Sequence, residues 1–234
     1  MADKKHLDFN LGFMEDDKAK AGESGKEATT STKLLLDKVT LIEYFKYLFR
    51  DFPSFSEAYL QVKRPPHLFF VIWLSGIAGV FDRLEYYEAE PSGWVEIWII
   101  AAIGGILTGY LAYWIGGAIY HLRVKWSKGR DHAIASRNIY MYSGVPISVT
   151  MVIWMFLNMV TYGNDYFYSD GSTIDVLFVL IFIGAVAYSI RLSYKAVMHV
   201  QKTKRTPAIV WFVVLPAIFY GLVFFSSFLS ALEV

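Results

Sequence analysis

The 234-residue sequence is 55% hydrophobic and 18% aromatic, and only 18% of its residues are charged. Such a composition is too apolar for an ordinary soluble domain, and the net charge of +1 gives no indication of nucleic-acid binding. The absence of cysteine excludes disulfides and thiolate catalysis.

Two N-terminal regions precede the apolar part of the chain. Residues 1–32 are predicted to be a disordered cytoplasmic tail, because small, polar and charged residues dominate them. Their short apolar group, HLDFNLGFM, is either part of a solvated tail or a docking motif for a partner. Residues 33–65 are predicted to form a cytoplasmic amphipathic helical region, with Glu43, Lys46 and Arg50 opposite an apolar face. That face suits a membrane surface or the protein's own cytoplasmic surface, and the pattern does not distinguish them.

Residues 66–234 contain five apolar blocks, which cover residues 66–81, 97–120, 139–162, 176–190 and 208–232. The second block is uncharged throughout and, at about 1.5 Å per residue, is longer than the hydrocarbon core of about 30 Å. Because hydrocarbon cannot satisfy a free backbone N–H or C=O group, each spanning block should be a helix. The predicted fold class is therefore all-α: a polytopic membrane protein with a five-transmembrane-helix bundle and an N-terminal amphipathic interfacial helix.

The cationic residues are distributed asymmetrically between the loops. Of the 22 Lys and Arg residues, 11 precede residue 68, five lie between residues 120 and 139, and five lie between residues 190 and 207. The remaining one, Arg83, belongs to an acidic loop. By the positive-inside rule, the N-terminus is predicted to be cytoplasmic and the C-terminus to lie on the far side.

A stripe of small residues runs along the second block. Its members are Ala101, Gly105, Gly109, Ala112, Gly116 and Gly117. Small residues at helical spacing allow two transmembrane helices to approach closely, so we predict a helix-packing surface. The alternative, a conduction path, would need polar companions, and the block offers only Thr108, Tyr110 and Tyr113.

Two prolines lie inside apolar blocks, Pro146 in the third and Pro216 in the fifth. A proline within a helix removes one hydrogen bond and clashes with the preceding turn, so we predict a kink at each position. Hydroxyl groups near Pro146 are available to satisfy the freed carbonyl.

The loop between the second and third blocks is basic and aromatic. Its residues Arg123, Lys125, Trp126, Lys128 and Arg130 are predicted to face anionic lipid headgroups on the cytoplasmic side, or an acidic partner. The positive-inside rule alone would produce the same charges.

The same loop carries His121, Asp131 and His132, which form a hypothetical metal or acid–base set, although they lack the i, i+4 histidine pairing of a helical site. Solvated loop histidines are the commoner interpretation. The sequence has no zinc, nucleotide or haem motif and no catalytic Ser signature. We therefore expect no enzymatic activity and no cofactor.

Three short motifs resemble elements of the Yip-domain family, named for Ypt-interacting proteins. Residues 51–55 (DFPSF) are similar to its Pro-x-Phe element, residues 113–117 (YWIGG) to its aromatic-x-Gly-Gly element, and residues 140–146 (YMYSGVP) to its Tyr-Ser-x-x-Pro element. The resemblance covers roughly residues 52–234 and implies five spans with a cytoplasmic N-terminus. The Asp-Leu-Tyr-Gly-Pro element of eukaryotic members is missing, so the chain resembles a bacterial or archaeal member in the cytoplasmic (inner) membrane. The eukaryotic role of binding small prenylated GTPases therefore does not transfer.

These observations favour a non-enzymatic membrane scaffold or adaptor. It would bind another membrane protein or a second copy of itself, and would shape the bilayer through its amphipathic helix. The alternative hypothesis is a small-molecule or lipid transporter, since the third and fifth blocks contain proline; the five unequal blocks show no paired repeat of the kind many transporters have.

Overall fold

The computed structural model of the protein describes Thr40, Ile42, Lys46 and residues 49–65, 67–86, 93–163 and 173–232. The chain divides into two units, residues 1–44 and residues 45–234. The predicted tail, residues 1–32, lies outside the described residues, as do most of residues 33–48 in the predicted amphipathic region. The fold described below is that of the second unit.

The described residues of this unit are helical and contain no strand, which confirms the all-α prediction for that part of the chain. The helices are α1 (Phe52–Tyr59), α2 (Leu68–Tyr86), α3 (Trp94–Trp126), α4 (Ala133–Tyr162), α5 (Thr173–His199) and α6, which consists of Arg205–Ile209, Val210–Val214 and Leu215–Leu232. Within α3 the segment Ala112–Gly116 is π-helical, and within α6 the segment Val210–Val214 is π-helical.

Four of the described helices, α3 to α6, are long and apolar enough to cross a membrane. The predicted first span, α2, differs from them because its uncharged stretch ends at Phe81, before Asp82 and Arg83. The stretch Leu68–Phe81 is about 21 Å long at 1.5 Å per residue, which is shorter than the hydrocarbon core of about 30 Å. Four spans are therefore supported by length and composition, and the fifth remains a prediction.

Helix α2 is packed inside the bundle between α3 and α4. Its side chains join a buried apolar cluster formed by Ile77, Phe81, Ile97, Ala101, Met155 and Met159. Two indole groups add polar contacts to this core: Trp73 Nε1 donates to the Ala102 carbonyl at 2.8 Å, and Trp98 Nε1 lies 3.0 Å from Met159 Sδ. These contacts link α2 to α3 and α3 to α4.

Helix α1 begins at the proline motif and packs against α5. The Asp51 side chain accepts a hydrogen bond from the Ser54 N–H at 3.4 Å and caps the helix, while Pro53 occupies the first turn, where a missing N–H costs nothing. Phe52 and Phe55 are buried. This part of region 33–65 therefore buries its apolar side chains in the protein's own helices.

Two short connections close one end of the bundle, residues 127–132 between α3 and α4 and residues 200–204 between α5 and α6. They are joined by backbone hydrogen bonds, from the Arg130 N–H to the Gln201 carbonyl at 2.8 Å and from the Lys204 N–H to the Ser127 carbonyl at 3.1 Å. We call this the loop end of the bundle. It fixes where α3, α4, α5 and α6 meet.

Candidate functional site

The first half of the small-residue stripe lies directly against α2. A Cβ added to Gly109 would lie 2.2 Å from the Ile72 carbonyl oxygen, and one added to Gly105 would lie 2.9 Å from the Ile77 nitrogen. Gly76 of α2 contributes from the opposite side, because its Cβ would lie 1.8 Å from the Gly105 carbonyl oxygen. Ala101 is fully buried beside them. The two helix backbones are therefore in contact, which only glycine allows.

The second half of the stripe faces a different neighbour. A Cβ on Gly116 would lie 2.6 Å from the Tyr140 ring, and one on Gly117 would lie 2.5 Å from Arg137 Cγ, both on α4. The change of partner coincides with the π-helical segment Ala112–Gly116, whose wider turn rotates the following residues relative to the first half. Ala112 itself lines the cavity described next.

A cavity of about 260 Å³ lies near the loop end of the bundle, and all the long helices contribute to its lining. Five serines and three tyrosines supply hydroxyl groups: Ser75, Ser143, Ser148, Ser189, Ser193, Tyr120, Tyr140 and Tyr220. Apolar walls come from Met141, Ile147, Ile190, Phe212 and Pro216. The lining is therefore amphipathic, and Arg123 is the one charged residue among the described residues that form it.

Hydrogen bonds between helices hold the polar part of this lining in place. The hydroxyl groups of Tyr120 and Ser193 lie 2.8 Å apart, which links α3 to α5. Ser189 Oγ donates to the Ser143 carbonyl, and Ser148 Oγ lies 3.2 Å from Ser75 Oγ. Because such groups would be costly in hydrocarbon without partners, these bonds fix the relative positions of the helices around the cavity.

Arg123 points into the bundle at this cavity. Its guanidinium carbon lies 4.8 Å from the centroid of the Phe212 ring and 5.7 Å from that of Tyr120. Its Nη2 donates to the carbonyl of Trp211, which belongs to the π-helical segment of α6. Its Nε is buried and has no hydrogen-bond partner among the described atoms.

The structure thus separates Arg123 from the other residues of the predicted basic patch. Lys125, Trp126, Lys128 and Arg130 are exposed at the loop end, and the Trp126 ring lies 4.5 Å from that of Trp211. Sequence spacing alone grouped all five residues, because the inward turn of Arg123 depends on the position of α6.

The exposed part of the loop contains a small ionic cluster. Asp131 contacts Lys125 Nζ at 3.2 Å and His121 Nε2 at 2.8 Å. Lys125 and His121 together hold the pKa of Asp131 below its ordinary value. The other ring nitrogen of His121 lies 3.0 Å from Ser136 Oγ on α4, so the cluster ties the loop to the helix.

In the described structure, His121, Asp131 and His132 do not form a metal-binding cluster. His132 caps α4, because its Nδ1 accepts a hydrogen bond from the Ala135 N–H at 3.0 Å. Both ring nitrogens of His121 are engaged by Asp131 and Ser136. No group of three His, Cys, Asp or Glu residues able to hold a metal ion occurs in the described ranges.

The two prolines occupy different local settings. Pro146 lies within the continuous helix α4, where the Thr150 hydroxyl donates to the Pro146 carbonyl at 2.9 Å. Pro216 lies at the junction between the π-helical and α-helical parts of α6. The predicted kinks remain predictions, but both prolines lie beside or close to the cavity, whose lining includes Pro216 and Gly144.

Asn138 is a structurally important residue that the sequence analysis did not identify. It is fully buried, and its Nδ2 donates to the carbonyls of Leu60 and Val62 at 3.0 and 2.9 Å. Tyr113 donates its hydroxyl to Asn138 Oδ1 at 3.3 Å. The sequence does carry one signal for this role, because Asn138, with its polar amide, directly precedes the apolar block that begins at residue 139.

The three short motifs meet around this region. The Phe55 ring lies 5.7 Å from that of Tyr142, which joins the first motif to the third. Tyr113 and Gly116 of the second motif contact Asn138 and Tyr140 on α4. A sequence model of the Yip1 domain matches residues 52–227, which include the first motif from Phe52 onward, the other two motifs in full and the residues that line the cavity. No curated protein and no solved structure matches the chain.

Proposed function

The chain belongs to the Yip1 domain family, and from that premise we propose that it is a non-enzymatic integral membrane scaffold or adaptor that holds another membrane protein beside it. The family is not one of known enzymes, and its match covers the spanning helices. The proposed arrangement has five spans, with the N-terminus in the cytoplasm of a bacterial or archaeal cell and the C-terminus across the cytoplasmic membrane.

One observation carries the scaffold proposal: the last two spans are little covered by the rest of the chain. Only 17% of the most apolar window of Val176–His199 and 11% of that of Arg205–Ser226 are buried. The large apolar side chains of these helices, such as Leu180 and Leu222, therefore face outward. Lipid chains cover part of such a surface, and a partner helix that packs tightly against the rest forms a specific contact.

Site-specific photocrosslinking in native membranes tests this proposal. A photoreactive amino acid at Leu180 or Leu222 should yield a protein adduct of one defined mass, whereas the same group at the exposed loop residue Lys128 should not yield that adduct. Recovery of only lipid adducts at both helix positions, together with a lone monomer in several mild detergents, would contradict the scaffold role.

The cavity favours a second candidate function, a small-molecule or lipid transporter. A polar lining within an apolar bundle is what a permeating solute requires, and Arg123 with its surrounding hydroxyl groups supplies one. Flux across vesicles that contain the purified protein distinguishes the two functions. A transporter moves solute in proportion to the protein reconstituted, whereas a scaffold leaves flux at the level of protein-free vesicles.

A further inference from the structure

The cavity near the loop end carries positive charge without a matching carboxylate. None of the described residues that line it is acidic, and the ion pairs recorded for the described chain involve His121, Lys125 and His199 rather than Arg123. An unpaired cation away from bulk water is expensive unless carbonyls, aromatic rings or a bound anion take up its charge. Arg123 has one carbonyl and two aromatic rings beside it but no carboxylate, so a bound anion would neutralise a charge that these neutral groups only partly stabilise.

The donor groups of Arg123 are only partly used within the protein. The Trp211 carbonyl accepts from Nη2, while the buried Nε has no partner among the described atoms. A guanidinium presents its donors in a planar fork that matches two oxygens of a phosphate or carboxylate. A ligand oxygen at Nε would satisfy a donor that the fold leaves unpaired.

The neighbouring hydroxyl groups add donors on the same side of the cavity. Tyr120 and Ser193 lie 2.8 Å apart and share one hydrogen bond, so one of their two hydroxyl hydrogens remains available to a ligand. The Tyr140 ring lies 5.9 Å from that of Tyr120, so a second tyrosine, with a third hydroxyl group, borders the same part of the cavity. Several donors around one cation suit a tetrahedral anion with several oxygens better than a planar carboxylate.

The size and remaining walls limit the ligand further. A volume of about 260 Å³ is just below the range of small-molecule sites, about 300–1,000 Å³, and so fits a headgroup rather than two acyl chains. The apolar walls, which include Phe212 and Ile190, suit the glycerol or upper acyl region of an amphiphile. Both π-helical segments border the cavity, through Ala112 on α3 and Phe212 on α6, and such segments are frequent at functional sites.

We propose that this cavity binds a phosphate-class anion through Arg123 and the hydroxyl groups beside it. The anion is a phosphate ester of an anionic phospholipid headgroup or free inorganic phosphate, because the same donors recognise either source. The site is independent of the scaffold role, since the outward faces of α5 and α6 form no part of it.

Two variants test the site in different ways. Arg123→Gln removes the charge and should weaken binding by about tenfold or more, because charge-assisted hydrogen bonds are lost. Gly144→Leu leaves Arg123 intact and fills the cavity, since Gly144 lines it and a Cβ there meets no atom within 4 Å. The matched controls are Arg191→Gln, an exposed cation on α5, and Gly184→Leu, an exposed helical glycine with equally open surroundings.

The full chain in neutral detergent micelles is titrated with phosphatidylglycerol, with phosphatidylcholine as the zwitterionic comparison, and separately with inorganic phosphate against chloride at equal ionic strength. Bound ligand is counted by native mass spectrometry, and the thermal unfolding midpoint is recorded in parallel. Saturable binding that both test variants reduce and both controls retain supports the site, and the arm in which it occurs identifies the source. The proposal is overturned if neither ligand binds the wild-type chain, or if binding survives Gly144→Leu. If Arg123→Gln does not fold, the Gly144→Leu result decides.

Discussion

Gly109 shows how one missing side chain determines the approach of two helices. In Gly109→Ala the new Cβ would lie 2.2 Å from the Ile72 carbonyl oxygen, which is backbone and cannot rotate away. We expect α2 and α3 to separate locally, with a loss of about 1–3 kcal/mol in the free energy of unfolding. Equilibrium unfolding in mixed detergent micelles measures it.

The control for this prediction is Gly184→Ala. Gly184 lies in α5 with no atom within 4 Å of the added Cβ, so the change should be neutral or stabilise the helix by up to about 1 kcal/mol. Equal effects of the two substitutions would show that the α2–α3 contact is looser than described.

Asn138 is expected to anchor the segment that follows α1. Replacing it by Leu would leave the Leu60 and Val62 carbonyls without the donors that they now have, at a cost of about 1–3 kcal/mol for each unsatisfied group. Tyr113→Phe removes only the long, 3.3 Å bond to Asn138 and leaves one acceptor, Oδ1, unpaired instead of two, so it should cost about 1 kcal/mol. Thermal unfolding of both variants tests this order, and a larger loss in Tyr113→Phe would contradict it.

The Asp131 cluster gives a pH-dependent prediction. Lys125, and then His121, hold the pKa of Asp131 below its ordinary value of 3.8, so their contribution to stability is present above that value and is lost as pH falls through the lower, folded-state pKa. Lys125→Met should raise the pKa of Asp131 towards 3.8. Carbon-13 NMR titration of the carboxyl group measures it, and an unchanged titration curve would show that Lys125 has no influence.

At the residue scale, the sequence predicted the spacing of residues along a helix face better than the direction in which a side chain points. The intervals of Ala101, Gly105 and Gly109 depend only on helical periodicity, and these residues do lie on one face against α2. The direction of Arg123 depends on where α6 passes, and the importance of Asn138 depends on where residues 60–62 lie. Both are long-range relationships that a single sequence does not encode locally.

At the element scale, helix α1 is expected to be held by its phenylalanines. Phe55 is buried with its ring 5.9 Å from that of Phe52 and 5.7 Å from that of Tyr142, so Phe55→Ala should cost about 3–5 kcal/mol of α1 docking. Limited proteolysis should then cut residues 51–65 faster than the rest of the chain. Phe69→Ala, at an outward-facing position on α2, is the control and should leave the cleavage rate unchanged; acceleration in both variants would refute a specific role for Phe55.

The boundaries of elements were predicted less well than their existence. The third apolar block was placed at residues 139–162, whereas α4 begins at Ala133 because His132 caps it and the polar residues before 139 are compatible with a helix. Hydropathy marks the part of a helix that lies in hydrocarbon, and helices continue beyond it. The π-helical segments of α3 and α6 leave no hydropathy signal, because one extra residue in a turn alters phase without altering composition.

At the scale of the whole molecule, the charge distribution predicts that α2 crosses the membrane. The basic loop 127–132 and the connection 200–204 lie together at the loop end, and the positive-inside rule predicts that both are cytoplasmic. The same rule predicts that the 11 Lys and Arg residues before residue 68 lie on that side too. They reach it only if α2, which packs against both α3 and α4, crosses the membrane.

Helix length alone supports four crossings, whereas the charge distribution favours five. Cysteine labelling distinguishes them, because the sequence contains no cysteine of its own. Single substitutions Ser24→Cys and Lys128→Cys are exposed to a membrane-impermeant maleimide, with intact cells compared with lysed ones. Because 11 cations precede α2, we expect both positions to react only after lysis, which corresponds to five crossings. Labelling of Ser24→Cys in intact cells while Lys128→Cys stays protected would contradict both the cytoplasmic N-terminus and the five crossings.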